Sequence, residues 1–208
     1  MTPYYQQDDI TIYHADCADV LPSIDPTDVD LLLTDPPYGI DYVGSDIHDT
    51  RTIQGDSEPF DPTPLLRFNR LVLFGANNYA DKLPASPGWI VWDKRLQSSE
   101  SVSWPDGDLA WTNFVKSIRI YRHLWAGPIR TGERPTFIHP TQKPVGLMRW
   151  ILEQWTQPGD LVLDPYMGSG PIAQACFELG RRYIGVEIEE QYCAITVERR
   201  FNQMSLFA

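Results

Sequence analysis

Apolar positions along the chain fall into short runs set off by polar punctuation, and the spacing changes character from one run to the next. "DITIYH" predicts a strand over Ile10–His14, and "DVDLLLTD" a second, buried strand ending near Thr34. "RLVLFG" predicts a strand near Leu71–Phe74 and "GWIVWD" another near Trp89–Trp92, and the alternation in "DLAWTNFV" fits a fifth. The pattern then turns helical. In "KPVGLMRWILEQWT", Val145, Leu147, Met148, Ile151, Leu152 and Trp155 share one face, with Pro144 suited to the first turn. "GDLVLD" predicts a strand, "PIAQACFELG" a helix closed by Gly180, "RRYIGVE" a strand and "EEQYCAITVERRF" a final amphipathic helix. Strands alternating with helices imply an α/β fold with a doubly wound, mostly parallel sheet.

In that class, ligands bind beyond the carboxyl ends of the strands. Those ends are acidic here. Asp16 follows the first strand, Asp35 ends the second, Asp164 ends "LVLD" and Glu187 ends "YIGVE". Each acid alone could cap a helix. Four at one sheet edge would repel one another and resist desolvation, so together they suggest a site for amines, hydroxyls or a cation. The turn "DPYMGSG" is neither G-x-x-x-x-G-K-[ST] nor G-x-G-x-x-G, which argues against a phosphate cradle and a nicotinamide cofactor. An acid at the entrance of the turn and Glu187 placed for a ribose suit an adenosine ligand with a positive centre and no phosphate, namely S-adenosylmethionine.

Composition refines this picture. The net charge of −11 over 208 residues argues against non-specific nucleic-acid binding by the whole surface. Basic residues nevertheless concentrate between Lys94 and Lys143: Arg95, Lys116, Arg119, Arg122, Arg130 and Arg134, interleaved with Trp104, Trp111, Tyr121 and Trp125. This reads either as a local basic, aromatic surface or as solvated charge beside core tryptophans. Cys17, Cys176 and Cys193 are too few and too scattered for a disulfide framework, and His14 with Cys17 lacks a second pair to complete a metal site. No apolar run approaches the ~20 residues of a membrane span, and the N-terminus does not read as a secretory signal. A cytoplasmic protein without membrane association is expected.

Three stretches, "DPPY" (Asp35 to Tyr38), "HPTQKP" (His139 to Pro144) and "DPYMGSG" (Asp164 to Gly170), resemble the hallmark motifs of the DNA amino-methyltransferases acting on adenine N6 or cytosine N4. Their order resembles the β class, and "FGANNY", "WDK" and "DLAWT" resemble its short phage and prophage members. The resemblance implies a Rossmann-like seven-stranded methyltransferase sheet with one antiparallel strand, helices on both faces and a circularly permuted motif order. It implies a single domain over 1–208 with a short target-recognition insertion within about 95–138, while the polarity and length of the stretch at about 44–62 suggest a mobile loop. Either specificity is loose or a second subunit contributes.

The same resemblance assigns roles. The Asp35 side chain and the Pro36 carbonyl are the expected acceptors for the two N–H groups of the target amine, with Pro36 and Pro37 fixing the backbone. Tyr38 is the expected stacking face for a base flipped out of the duplex. Asp164, Gly168, Ser169 and Gly170 are expected along the methionine part of S-adenosylmethionine, Glu187 at the ribose, and Asp16 and Cys17 near the adenine. Thr141 and Lys143 are expected at the methionine end, the lysine pairing its carboxylate; Asp35, His139, Tyr166 and Ile188 complete the cofactor set. Pro171 stands where the family usually has Thr, with a small expected effect. Double-stranded DNA is the expected partner, in a bacterial or phage-infected cell; a homodimer and a cognate restriction endonuclease are further candidates. Asp35, where cytosine enzymes more often carry Ser, favours adenine. The alternatives are an N4-cytosine enzyme, an amine in RNA or protein, and a catalytically inactive DNA-binding paralogue.

Overall fold

The structure, a computed structural model, describes residues 1–42, 52–95, 105–126, 129–130 and 142–207. Its strands are β1 (Tyr5–Gln7), β2 (Ile10–His14), β3 (Leu31–Thr34), β4 (Leu71–Phe74), β5 (Gly88–Asp93), β6 (Gly107–Thr112), β7 (Arg119–Arg122), β8 (Trp125–Ala126), β9 (Ile129–Arg130), β10 (Leu161–Asp164) and β11 (Arg182–Glu187). The helices are α1 (Cys17–Val20), α2 (Val145–Trp155), α3 (Pro171–Leu179) and α4 (Glu190–Phe207). All but β8 and β9, which pair with each other, join one sheet in the order β1-β2-β11-β10-β3-β4-β6-β5-β7.

The seven strands from β2 to β5 are parallel except β6, which runs antiparallel to both β4 and β5. That is the expected methyltransferase sheet, extended at its edges to nine strands. β1 adds a second antiparallel strand, because Asp8 takes a positive φ of 49° and turns the chain back onto β2 within two residues. β7 lies parallel to β5. It carries no buried apolar run: Arg119, Ile120 and Arg122 are exposed, as an edge strand allows. All four residues are buried in each of β3, β4 and β10, which explains their continuous apolar runs.

Helices do not cover the two faces equally. Residues of α2, α3 and α4, among them Met148, Ile151, Ile172 and Cys193, pack with Leu31, Leu33, Val72 and Val162 on one face. On the other, Leu32, Leu71, Leu73 and Leu163 meet Leu21, Leu65, Ala76 and Tyr79, carried on short 3-10 turns, with Cys17 of the four-residue α1 beside them. On this second face the described residues carry the short α1 and 3-10 turns rather than a long helix. Its connections, rich in Pro, Gly and Asn, favour turns over helices.

The direction in which successive strands are added to the sheet reverses between the parallel neighbours β10 and β3. From β3 the sheet continues to β4, and from β10 to β11 and β2. The crevice at their carboxyl ends is the topological switch point, where the chain leaves room for a ligand. The expected loop at 44–62 and insertion at 95–138 fall partly on 43–51, 96–104, 127–128 and 131–141, outside the described residues. No helix among the described residues is long and apolar enough to cross a membrane.

Candidate active site

The four acids predicted at the strand ends line one cavity of about 1160 Å³ at the switch point. They come from four consecutive strands, in the order Asp16 after β2, Glu187 on β11, Asp164 on β10 and Asp35 after β3. Adjacent parallel strands bring them together although they lie far apart in the chain.

On the β10 side, Asp164 is fully buried. Its oxygens accept the hydroxyls of Thr34 at 2.7 Å and Tyr183 at 3.0 Å and the Tyr166 N–H at 3.3 Å. Burial pushes its carboxyl up to about 7, against these three bonds. The turn that follows is held by a backbone bond from Met167 N–H to the Val186 carbonyl and by the Gly168 N–H donating to the Glu187 side chain, Oε2, at 2.7 Å. Gly170 has a positive φ of 75°, and an added Cβ would lie 2.4 Å from Thr196, so glycine is required there. Pro171 opens α3 as its first residue, where its missing N–H costs nothing. Ser169 Oγ is buried without a partner while its residue lines the cavity. An orphaned hydroxyl beside this glycine turn fits a bound polar ligand.

Glu187 accepts the N–H groups of Gly168 and Glu189, while burial raises its carboxyl above the usual range. Asp16 caps α1 by accepting the Ala18 N–H at 2.8 Å, the ordinary role of an acid after a strand, yet still borders the cavity. Cys17 lies beside it. Burial pushes its thiol up, partly offset by a hydrogen bond with Tyr166. Half-exposed Ile188 also lies on the cavity wall.

On the β3 side, Asp35, Pro36, Pro37 and Tyr38 form the opposite wall. The loop is clamped by Asp56, 2 % exposed, whose carboxylate accepts the N–H groups of Tyr38 at 2.7 Å, Gly39 at 2.8 Å and Tyr42 at 2.7 Å. The Tyr38 ring lies over Gly75, where an added Cβ would stand 1.9 Å from Cε1. The Tyr38 hydroxyl donates to Asp35 Oδ1 at 2.6 Å. Burial and the neighbouring Asp35 and Asp108 carboxylates raise its pKa well above that of a free phenol.

Lys143, expected at the cofactor carboxylate, has its ammonium 2.5 Å from Asp35 Oδ2, 3.0 Å from the Tyr38 hydroxyl and 3.6 Å from Asp108 Oδ2. Burial disfavours the charge on Lys143, but Asp35 and Asp108 outweigh it and raise the lysine's pKa. Asp108 Oδ1 also meets Lys94 Nζ at 2.8 Å. Burial pushes the Asp108 carboxyl up, and Lys143 and Lys94 overcome it, leaving it below the usual carboxylate value.

Four residues here escaped sequence reasoning: Asp56, Gly75, Lys94 and Asp108. The available signal was a charged residue at each end of otherwise apolar runs, in "WDK" and "DLAWT". The basic, aromatic stretch also divides. Lys94 and Lys143 turn into the cavity and Trp111 and Trp125 into the core, leaving Lys116, Arg119 and Arg122 exposed. His139 and Thr141 lie outside the described residues. Among the described residues, no group of three or more His, Cys, Asp or Glu is arranged to hold a metal ion.

The chain is similar in sequence and fold to known proteins. A DNA methylase family model of the N6/N4 type matches residues 88–198. The methylase YubD of Escherichia coli is 33% identical over 199 residues, covering 85% of this chain and 84% of that protein. The type II methyltransferase M2.LlaDCHI of Lactococcus lactis subsp. cremoris is 26% identical over 250 residues, covering 95% and 91%. The crystal structure of M1.HpyAVI in complex with SAM superposes with a TM-score of 0.56 at 27% identity, over 91% of this chain and 99% of that one. A model match across more than half of the residues, joined to a one-third-identical relative along most of the length, establishes that the chain belongs to the N6/N4 DNA methylase family.

Proposed function

We propose that this protein transfers a methyl group from S-adenosylmethionine to the N6 amine of adenine in DNA. One observation carries the reading: the acid of the "DPPY" loop and the glycine turn after β10 face each other across one cavity at the switch point. Asp164, Gly168, Ser169 and Gly170 would hold the methionine part of the cofactor. Glu187 would take the ribose, and Asp16, Cys17, Tyr166 and Ile188 the adenosine end. When bound, S-adenosylmethionine supplies an electrophilic methyl group on a sulfonium centre.

The exocyclic amine of adenine is a weak nucleophile, because its lone pair is shared with the ring. Asp35, as acceptor for an N–H, localises that lone pair and stabilises the charge that develops on nitrogen. The methyl group would pass to the amine nitrogen with the C–S electron pair left on sulfur, and the amine's surplus proton would leave to water. Pro36 fixes the loop that carries the second acceptor, its own carbonyl, and Tyr38 supplies an aromatic face for the flipped base. The chain's part is positioning and electrostatics.

Residues 95–138 are the proposed target-recognition segment, where exposed Lys116, Arg119 and Arg122 offer positive charge to phosphates. Asp35 favours adenine over cytosine. The test is mass spectrometry of nucleosides from DNA incubated with the protein and S-adenosylmethionine. N6-methyladenine is expected; N4-methylcytosine alone would reverse the choice of base, and no methylated base would refute the activity.

A further inference from the structure

Both oxygens of Asp35 are already engaged. Oδ1 accepts the Tyr38 hydroxyl and Oδ2 accepts Lys143 Nζ at 2.5 Å, so an entering amine finds each oxygen already holding one donor and the carboxylate charge drawn to a buried ammonium. Lys143 is 5 % exposed and cannot turn outward into water, and a buried ammonium without a partner is costly. Besides the Tyr38 hydroxyl at 3.0 Å, a second carboxylate is in reach among the described residues: Asp108 Oδ2 lies 3.6 Å away. A shift of under about 1 Å would bring Lys143 within hydrogen-bond range of it. Asp108 is held ready for this exchange. Its Oδ1 is tied to Lys94 Nζ at 2.8 Å, and Lys94 itself rests over the Trp92 ring at 4.6 Å from the centroid.

We infer that Asp108 is a positioning residue that gives Lys143 a second seat: as the target amine arrives, the ammonium moves from Asp35 toward Asp108 and frees Asp35 Oδ2. Lys94 orients Asp108 for this exchange. The lysine stays paired throughout, so opening the acceptor never leaves a bare charge in the cavity. The inference rests on the reading of Asp35 as acceptor for the target amine.

The test compares Asp108→Asn, Asp108→Glu, Lys143→Met, the double variant Asp108→Asn/Lys143→Met, and Asp35→Asn in single-turnover methyl transfer on DNA. Binding of S-adenosylhomocysteine and of DNA is measured alongside. Asp108→Asn should slow transfer by at least about tenfold while both affinities stay within about twofold, the pattern of a lost interaction specific to the reaction. Asp108→Glu should recover most of the rate. In the Lys143→Met background, Asp108→Asn should cost nothing further, because Asp108 acts through the lysine. Multiplying losses in the double variant, no rescue by Glu, or wild-type rates in Asp108→Asn would each overturn the second seat. If Asp35→Asn also transfers at the wild-type rate, the acceptor reading itself fails. An inactive Asp35→Asn beside a fully active Asp108→Asn removes the second seat alone.

Discussion

At Gly75 the chain has no room for a methyl group. The residue has a positive φ of 67°, and a Cβ would meet the Tyr38 ring at 1.9 to 2.4 Å. Gly75→Ala should therefore push Tyr38 off its seat beside Asp35 and cut kcat by about 10²-fold, the usual cost of misplacing a reacting group by an ångström. Steady-state kinetics with cofactor binding measured in parallel checks this; unchanged kcat would show that the ring position is not critical. Asp164 makes a second residue-scale prediction. Its carboxyl titrates at about 7 in the fold and at about 3.9 in an unfolded chain. Between those values the folded state holds the extra proton, so this contribution to stability is full below about pH 4 and lost as pH rises through about 7. Thermal melts of the ligand-free protein from pH 4 to 8 should show that slope, and Asp164→Asn should flatten it.

Among the elements, the "DPPY" loop is held as a unit by one side chain from a separate segment. Asp56 satisfies three backbone N–H groups there and is itself buried. Asp56→Ala would strand those donors, at a cost of about 1–3 kcal/mol for a buried unsatisfied group. Chemical denaturation should register that loss, and the freed loop should lower kcat more than cofactor affinity. β7 carries a different prediction. Lys116, three residues before β7, and Arg119 are exposed and form no ion pair with the described residues, whereas Arg122 meets Asp93 at 3.5 Å. Lys116→Glu/Arg119→Glu should weaken DNA binding for all sequences alike and reduce the slope of log K against log salt by about 2. A change confined to one recognition sequence would instead make these residues base readers.

For the molecule as a whole, the cavity joins the two halves of the sheet, since Thr34 of β3 bonds Asp164 of β10 across the switch point. A ligand bound there stabilises the entire fold. S-adenosylhomocysteine at 100 times its Kd should add about 2.7 kcal/mol, raising Tm by roughly 5–10 °C. Differential scanning fluorimetry reads this directly, and the absence of a shift would argue against a cofactor in this crevice.

The chain by itself determined the strands β2 to β6, β10 and β11, the three long helices and the acids at the strand ends. Buried parallel strands leave continuous apolar runs, and helices leave a 3.6-residue period, so both are local signals. β7 left none, because an edge strand of exposed Arg119, Ile120 and Arg122 buries too little to need an apolar run. Only the tertiary structure decided which charges meet. "HPTQKP" announced Lys143 but not its neighbours; Asp35 and Asp108 reach it from β3 and β6, strands separated in the sheet by β4. Electrostatic pairing depends on distance in space, which strand order sets and local sequence does not.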